Sequence, residues 1–141
     1  MLIVLDTNVL VSGLLNEVGI PRQVVDMAIK REIRLAVDKR IVQEYVEVTA
    51  RSHLRIPRIL RDDALSVIIG VSFWVKAQPL NLPASKVFDP KDLPFAEVAV
   101  AAKADALVTG NKRHFTFLAA FGIEVLTPAE FVQRESKVER E

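Results

Sequence analysis

The sequence predicts an α/β protein in which helices cover both faces of a central, mainly parallel sheet. Short apolar runs alternate along the chain with longer segments whose apolar residues recur at helical spacing. Strands that alternate with helices form β-α-β units, whose parallel strands are joined by right-handed crossovers. Apolar runs without a polar face fit strands that are buried on both sides. We therefore expect three layers, with the sheet in the middle.

The strand candidates are short apolar runs bounded by turn residues. They are too short for helices, and several are rich in the β-branched residues that strands favour. In chain order they occupy residues 2–5, 33–37, 106–109 and 124–126, with a weaker candidate near residues 76–80. We therefore expect a sheet of four or five strands.

The helix candidates have recognisable starts or apolar faces. Pro21 suits the first turn of a helix, because no N–H donor is needed there. Asp38 and Thr127 are good N-cap residues and precede two further helices. In chain order, the helical segments cover residues 22–32, 41–48, 61–77 and 94–104, and a last helix begins at Pro128. Each helix lies between strand candidates or after the last one, as β-α-β units require.

Composition limits the classes of protein to which the chain can belong. Half of its 141 residues are hydrophobic, 26% are charged, and the formal net charge is +1, so nucleic-acid binding would depend on local basic patches. The absence of cysteine excludes disulfides and thiolate metal sites. We expect one domain over residues 1–132 and a charged tail over 133–141. Neither a secretory signal nor a membrane segment is recognisable, which predicts a cytoplasmic protein.

Three polar residues, Asp6, Thr7 and Asn8, follow the first strand directly. Each is a common turn or N-cap residue, so a purely structural role is one interpretation. Ligands of open parallel sheets, however, gather beyond the carboxyl ends of the strands. The tripeptide is therefore a candidate site.

Other polar residues are candidates for the same site. Thr109 and Asn111 lie at the carboxyl end of a predicted strand, at the same sheet edge as Asp6. Asp92 precedes the fourth helix, where a simple N-cap is the alternative interpretation. Glu44 lies beside the apolar stripe of its helix, where a solvated position is the alternative.

These motifs resemble the PIN-domain family of metal-dependent nucleases, in particular the VapC-like toxins of bacterial and archaeal toxin–antitoxin pairs. The resemblance extends from LDTNVL through IVQEYVEV and DPKDLPFAEVAVAAKADALVTGN to the last strand. It implies a PIN-like, Rossmann-like fold and a Mg²⁺- or Mn²⁺-dependent endoribonuclease that cuts RNA and is restrained by an antitoxin protein. Separately, the apolar helix around residues 65–75 predicts a homodimer or higher homo-oligomer.

The resemblance also implies the roles of individual residues. The catalytic and metal-binding acids would be Asp6, Glu44 and Asp92, and the supporting polar residues would be Thr7, Asn8 and Thr109. Asn111 occupies a position where the family often has a fourth acid, and its neutral oxygen would bind a metal more weakly. Glu97 is a further candidate for supplying the missing charge.

An acidic, metal-dependent cleft needs basic residues around it to hold RNA. The candidates for phosphate contacts are Arg51, Arg55, Arg58, Arg61, Lys112 and Arg113, although such residues often form only a solvated face. The two histidines, His53 and His114, lack the spacing of metal ligands and are expected at the surface. No aromatic platform for stacking bases is recognisable in the sequence.

Two rival functions can be compared with the same residues. An aspartate-based phosphohydrolase needs Asp-x-Asp after its first strand, but Asn8 occupies the position of the second Asp. A phospho-receiver domain needs an acidic pair near that strand, which the sequence lacks. The remaining alternative is a PIN-fold module that binds RNA or a protein with weak or no cleavage, and Asn111 favours it.

Overall fold

Four strands of the structure lie within one residue of their predicted bounds, and a fifth completes the sheet. The computed structural model describes residues 1–140 of the chain, with side chains described to residue 137. The strands are β1 (Leu2–Leu5), β2 (Arg34–Val37), β3 (Phe73–Trp74), β4 (Ala106–Val108) and β5 (Glu124–Leu126). The α-helices are α1 (Thr7–Leu15), α2 (Ile20–Ile29), α3 (Lys39–Thr49), α4 (Arg58–Gly70), α5 (Leu93–Ala102) and α6 (Pro128–Arg140).

The five strands form one parallel sheet in the order β3-β2-β1-β4-β5. The chain leaves the central strand β1 toward β2 and β3, and then crosses to β4 and β5 on the other side. The direction of winding therefore reverses between β1 and β4, and the crevice beyond the carboxyl ends of such a strand pair is where open α/β sheets bind ligands. The predicted three-layer α/β/α class is confirmed.

Helix packing fixes the strands that carry this crevice. Helix α5 packs across β1, β2 and β4, and its buried side chains include Phe95 and Val98. On α1, Gly13 permits close approach to α2, because a Cβ atom at this position would lie 2.6 Å from Cγ2 of Val25. Helix α2 also contacts α6. Helix α5 therefore holds together β1 and β4, the two strands that carry the crevice.

Helix α1 was not predicted from the sequence. It begins directly after Asp6 and buries Val9, Leu10, Gly13 and Leu14. Valines and a glycine give the segment a low intrinsic helix propensity, and its apolar residues are spread widely around the helix, so no clear apolar face can be read from the sequence. Tertiary burial therefore decides the conformation of this segment.

The helix predicted over residues 61–77 is wrong in its second half, and the strand predicted near residues 76–80 is misplaced. Helix α4 ends at Gly70, and Phe73 and Trp74 form β3 by pairing with Ala36 and Val37. The apolar run spans both elements, so its spacing could not mark the boundary, whereas its aromatic and β-branched residues after Gly70 favour a strand. Within this chain, α4 buries Ala64, Leu65 and Ile68, and the predicted contact of another of its faces with a second subunit stays a prediction.

The last helix begins as predicted. The Thr127 Oγ1 atom accepts a hydrogen bond from the backbone N–H of Glu130 (3.1 Å), and the Glu130 carboxylate accepts one from the N–H of Thr127 (3.0 Å), which together form a capping box. Helix α6 continues to Arg140, through most of the predicted tail, and residue 141 lies outside the described residues. Among the described residues, no helix is both long and apolar enough to span a membrane.

Candidate active site

The reversal point of the sheet brings Asp6 and Thr109 together from opposite ends of the chain. The backbone N–H of Asp6 donates to the carbonyl oxygen of Val108 (3.0 Å), which extends the pairing of β1 and β4 beyond the strands. The Oγ1 atom of Thr109, a fully buried side chain, donates to Oδ2 of Asp6 over 2.7 Å. This hydrogen bond fixes the orientation of the Asp6 carboxylate.

The turn after β4 is tied to the same place by Asn8 and Asn111. Oδ1 of Asn8 accepts a hydrogen bond from the N–H of Gly110 (3.3 Å), and the N–H of Asn111 donates to Oγ1 of Thr109 (3.0 Å). The Asn111 side chain is exposed and makes no capping hydrogen bond. Asn8 therefore supports the turn, whereas the Asn111 carboxamide remains available at the edge of the site.

Helix α3 places Glu44 beside the first strand. The carboxylate of Asp38 accepts a hydrogen bond from the N–H of Ile41 (3.0 Å) and caps the start of the helix, as predicted. The buried Tyr45 hydroxyl donates to the carbonyl oxygen of Leu5, the residue that precedes Asp6. Its neighbour Glu44 accepts a hydrogen bond from the hydroxyl of Thr7. The second predicted acid is therefore held next to the first one through Thr7.

The carboxylate of Asp92 does not cap helix α5, although the residue occupies the N-cap position. Its Oδ2 atom instead lies 3.1 Å from Nδ1 of His114. A purely structural N-cap role is therefore wrong for Asp92. The expectation that His114 lies at the surface is also wrong, because the imidazole is half-buried against Asp92 and stacks on Phe88. His53, in contrast, is exposed as predicted.

The three acids share one electrostatic environment. The pKa of the Asp6 carboxyl is raised from 3.8 to about 6. Burial is the largest cause, and the negative charges of Asp92 and Glu44 act in the same direction, against the lowering effect of the Thr109 hydrogen bond. Burial also raises the pKa of Asp92, and the neighbouring His114 opposes this rise. A positive ion at this place would relieve these costs of ionisation.

The side chains present fit a hard divalent cation by their chemistry. Asp6, Glu44 and Asp92 offer carboxylate oxygens, which Mg²⁺ and Mn²⁺ prefer, and no softer ligand is needed. Within the described part of the chain, no three His, Cys, Asp or Glu side chains are already assembled to hold a metal ion. Each acid instead has its own partner, namely Thr109, Thr7 and His114. Each of these hydrogen bonds engages one oxygen of its carboxylate.

Glu97 does not supply a charge to this cluster. It is buried, its Oε1 atom lies 2.8 Å from Nη1 of Arg40, and its Oε2 atom accepts a hydrogen bond from the N–H of Leu80 (3.1 Å). Arg40 also pairs with Asp38 at 2.7 Å. Both oxygens of Glu97 therefore serve a structural ion-pair network. The sequence could not reveal it, because Arg40 and Glu97 are 57 positions apart.

The predicted basic residues differ in how free they are to bind phosphate. Arg61 is a structural residue, because its guanidinium donates to Oγ1 of Thr49 (3.0 Å) and to the carbonyl oxygen of Val46 (2.7 Å). Ion pairs to acidic side chains also engage Arg51, Arg58 and Lys112. Arg55 and Arg113 are exposed, and the guanidinium of Arg113 lies 5.7 Å from the centre of the Phe88 ring. Of this set, Arg113 adjoins the acids through Phe88 and His114.

Comparison with known families agrees with this arrangement. The family model described as PIN domain matches residues 2–113, which include all three acids and the turn after β4. The chain belongs to the PIN-domain family. A search of curated proteins finds no match.

Membership of the PIN-domain family agrees with the chemistry of the acidic site. PIN domains are generally nucleases and typically use divalent metals, which agrees with an oxygen-rich donor set at the reversal point of the sheet. The match ends at Arg113, so the PIN-domain region contains β1 to β4 and the helices between them. Strand β5 and helix α6 follow it, and β5 completes the sheet beside β4.

Proposed function

We propose that this PIN domain is a Mg²⁺- or Mn²⁺-dependent endoribonuclease that hydrolyses RNA phosphodiester bonds. The observation that supports it most is the environment of Asp6, whose carboxylate ends the central strand, is held by Thr109 and has a pKa raised to about 6 beside two further acids. Asp6, Glu44 and Asp92 would hold the ion, and Asn111 would add a neutral oxygen.

Neighbouring residues position the proposed metal ligands. A bound divalent ion supplies an acidified water molecule and positive charge against the phosphate. Thr109 orients Asp6, and the N–H of Asn111 holds the Thr109 hydroxyl in turn. The contact with His114 directs the Asp92 carboxylate away from the helix N-terminus. These contacts limit the motion of the ligands before an ion binds, which lowers the entropic cost of assembling the site.

The proposed biological role is supported only by the sequence resemblance to VapC-like proteins. We propose a toxin that an antitoxin protein restrains, acting in the cytoplasm. A homodimer is also proposed, and the exposed apolar side chains of Ile59, Phe73 and Trp74 support an interface outside the acidic site.

A second candidate function is supported by a specific observation. Asn111 places a neutral group where the family often has a fourth acid, so the site has one negative charge fewer for holding an ion. A PIN-fold module that binds RNA or a protein with little cleavage fits these features as well. Metal-dependent turnover distinguishes the two functions.

Removing and restoring divalent ions tests the proposed nuclease. Protein stripped with EDTA is expected to leave a mixed single-stranded RNA intact, and Mn²⁺ or Mg²⁺ in excess over the chelator is expected to restore cleavage, because the acids alone cannot acidify water sufficiently. Product lengths are read on a denaturing gel. Equal cleavage with and without EDTA would contradict metal dependence, and RNA binding without cleavage under all conditions would support the second function.

Replacing Asn111 with Asp tests the fourth position. A carboxylate there is expected to tighten Mn²⁺ binding by about 3- to 10-fold, because it adds a negative charge and an ionic oxygen at an exposed position. Isothermal titration calorimetry measures the change. Asn16→Asp is the matched control, since Asn16 is exposed at the opposite end of α1 and receives the same change in charge. Equal affinities for the two variants would show that residue 111 is not a ligand.

A further inference from the structure

Phe88 is the most exposed aromatic side chain in the described part of the chain. Its exposed fraction is 63%, compared with 51% for Trp74 and 42% for Phe121. Burying an aromatic ring is favourable, so a phenylalanine left this open has a surface available for a ligand. The position lies in the loop before α5, four residues ahead of the proposed ligand Asp92.

The ring is nevertheless held in a defined orientation. Phe88 stacks on the imidazole of His114, with ring centres 4.1 Å apart and planes inclined by 25°. His114 in turn contacts the Asp92 carboxylate at 3.1 Å. The aromatic surface is therefore connected to the proposed metal-binding acids through a single residue, and its position relative to them is fixed by these contacts.

The surroundings of the ring are basic, whereas the acids lie on the side of His114. A cleft of about 270 Å³ is lined by Ser85, Lys86, Phe88, Arg113, Thr116 and Phe117. The Arg113 guanidinium lies 5.7 Å from the ring centre, near the outer limit of a cation–π contact, so an incoming ligand can displace it at little cost. Cationic side chains beside an open aromatic face match the phosphates and base of a nucleotide.

We infer that Phe88 is a stacking platform for an unpaired nucleobase of single-stranded RNA, next to the phosphate that is cut. One face of the ring packs on His114, the other side receives the base, and Lys86 and Arg113 contact the flanking phosphates. Duplex RNA does not bind in this way, because its bases are already stacked and paired. This inference rests on the proposed ribonuclease function and specifies its substrate as single-stranded RNA. It also provides the stacking platform that the sequence did not reveal.

The test compares three replacements of Phe88. Affinity for a fluorescently labelled single-stranded RNA is measured by anisotropy in EDTA, where cleavage is not expected, and KM is measured with Mn²⁺. Phe88→Ala and Phe88→Leu are expected to weaken binding by about 5- to 100-fold, since stacking needs a ring and not merely an apolar side chain. Phe88→Trp is expected to retain the affinity. Thermal unfolding shows whether each variant is folded, and the Leu and Trp variants keep the comparison valid if the Ala variant is not.

Controls separate stacking from general effects. Phe121→Ala removes an exposed phenylalanine at the end of the segment 112–121 and is expected to leave RNA binding unchanged. In a Trp74→Phe background, the fluorescence of Phe88→Trp is expected to be quenched by single-stranded RNA and not by duplex RNA. If both the Ala and the Leu variants have the wild-type affinity and KM, the proposal that Phe88 stacks on a base is wrong. Phe88 then remains available as a contact for a protein partner.

The outcome also distinguishes this inference from the proposed function. If the wild-type protein cuts RNA only with a divalent ion, but Phe88 variants bind and cut normally, the nuclease stands and the platform is wrong. The opposite result is that no ion supports cleavage, but Phe88→Ala and Phe88→Leu still bind RNA more weakly while Phe88→Trp retains the affinity. Phe88 is then a stacking platform in a protein that binds RNA without cutting it.

Discussion

Replacing Asp6 with Asn is expected to lower metal-dependent RNA cleavage by about 1,000-fold or more, which corresponds to about 4 kcal/mol of lost transition-state stabilisation. The substitution removes the negative charge while keeping an oxygen that can accept the hydrogen bond from Thr109. Because Asp6 is the acid at the reversal point of the sheet, we expect no nearby residue to replace it as an anchor for the ion. Calorimetric titration should show a matching loss of Mn²⁺ binding.

The matched control is Asp63→Asn. Asp63 is an exposed aspartate on α4. Its replacement makes the same change in charge and should leave cleavage and Mn²⁺ binding unchanged. Thermal unfolding of both variants checks that the fold is intact. Cleavage at the wild-type rate by Asp6→Asn would show that the acids at this edge are not the catalytic centre, whichever metal is present.

The metal-free protein is expected to lose stability as the pH rises from about 4 to about 7. The unfolded carboxyl of Asp6 ionises near 3.8, whereas the folded one keeps its proton until about pH 6. The folded state therefore binds more protons in this range, and the free energy of unfolding falls by about 3 kcal/mol, since each pKa unit corresponds to roughly 1.4 kcal/mol. The pKa of Asp92 is also raised, so its ionisation likewise lowers the free energy of unfolding as the pH rises.

Other carboxyls change stability with pH in the opposite sense. The backbone N–H of Thr127 and the ammonium of Lys112 lower the pKa of Glu130, so its contribution is lost as the pH falls. The difference between wild type and Asp6→Asn isolates the Asp6 contribution, because only the wild type has this ionisation. Urea unfolding in EDTA at several pH values between 4 and 7.5 measures it. Parallel stability curves for the two proteins would contradict the raised pKa.

Divalent ions should restore, near pH 7, the folding stability that is lost when Asp6 ionises. An ion that binds the ionised acids stabilises the folded state by about 2.7 kcal/mol when its concentration is one hundred times its dissociation constant. Wild-type protein should therefore gain stability on addition of Mn²⁺, and Asp6→Asn should gain much less. The pH dependence and the metal dependence of stability both report on the repulsion among the carboxylates of Asp6, Glu44 and Asp92.

The strands were predictable because burial on both faces leaves a local mark in the sequence. β1, β2 and β4 are short apolar runs that are largely buried, whereas β5 is a similar run that is only partly buried, and no distant residue is needed to recognise any of the four. Helix α1 and the end of α4 were not predictable in this way. The apolar residues of α1 are spread around the helix, and those of α4 continue into β3, so neither shows a readable period and packing against distant elements decides the conformation.

The acids themselves could be named from the sequence, but not their partners. Asp92 precedes a helix, and sequence alone cannot show that its carboxylate turns to His114, which lies 22 positions away. Similarly, nothing local distinguishes Glu97, which is committed to an ion pair with Arg40, from a free acid on the same helix. Residue type and position along an element are local properties, whereas hydrogen-bond partners depend on the complete fold.

The hydrogen bond between Asp6 and Thr109 has a consequence for the timing of synthesis. The two residues are 103 positions apart, so the ribosome adds the threonine about 5 to 20 s after the aspartate at ordinary elongation rates. Pairing of β1 with β4 must await the same moment, and contacts this distant in sequence are slow to form. A nascent chain therefore carries its first acid for most of its synthesis without the strand that orients it. The acidic site is therefore completed only late in the synthesis of the chain.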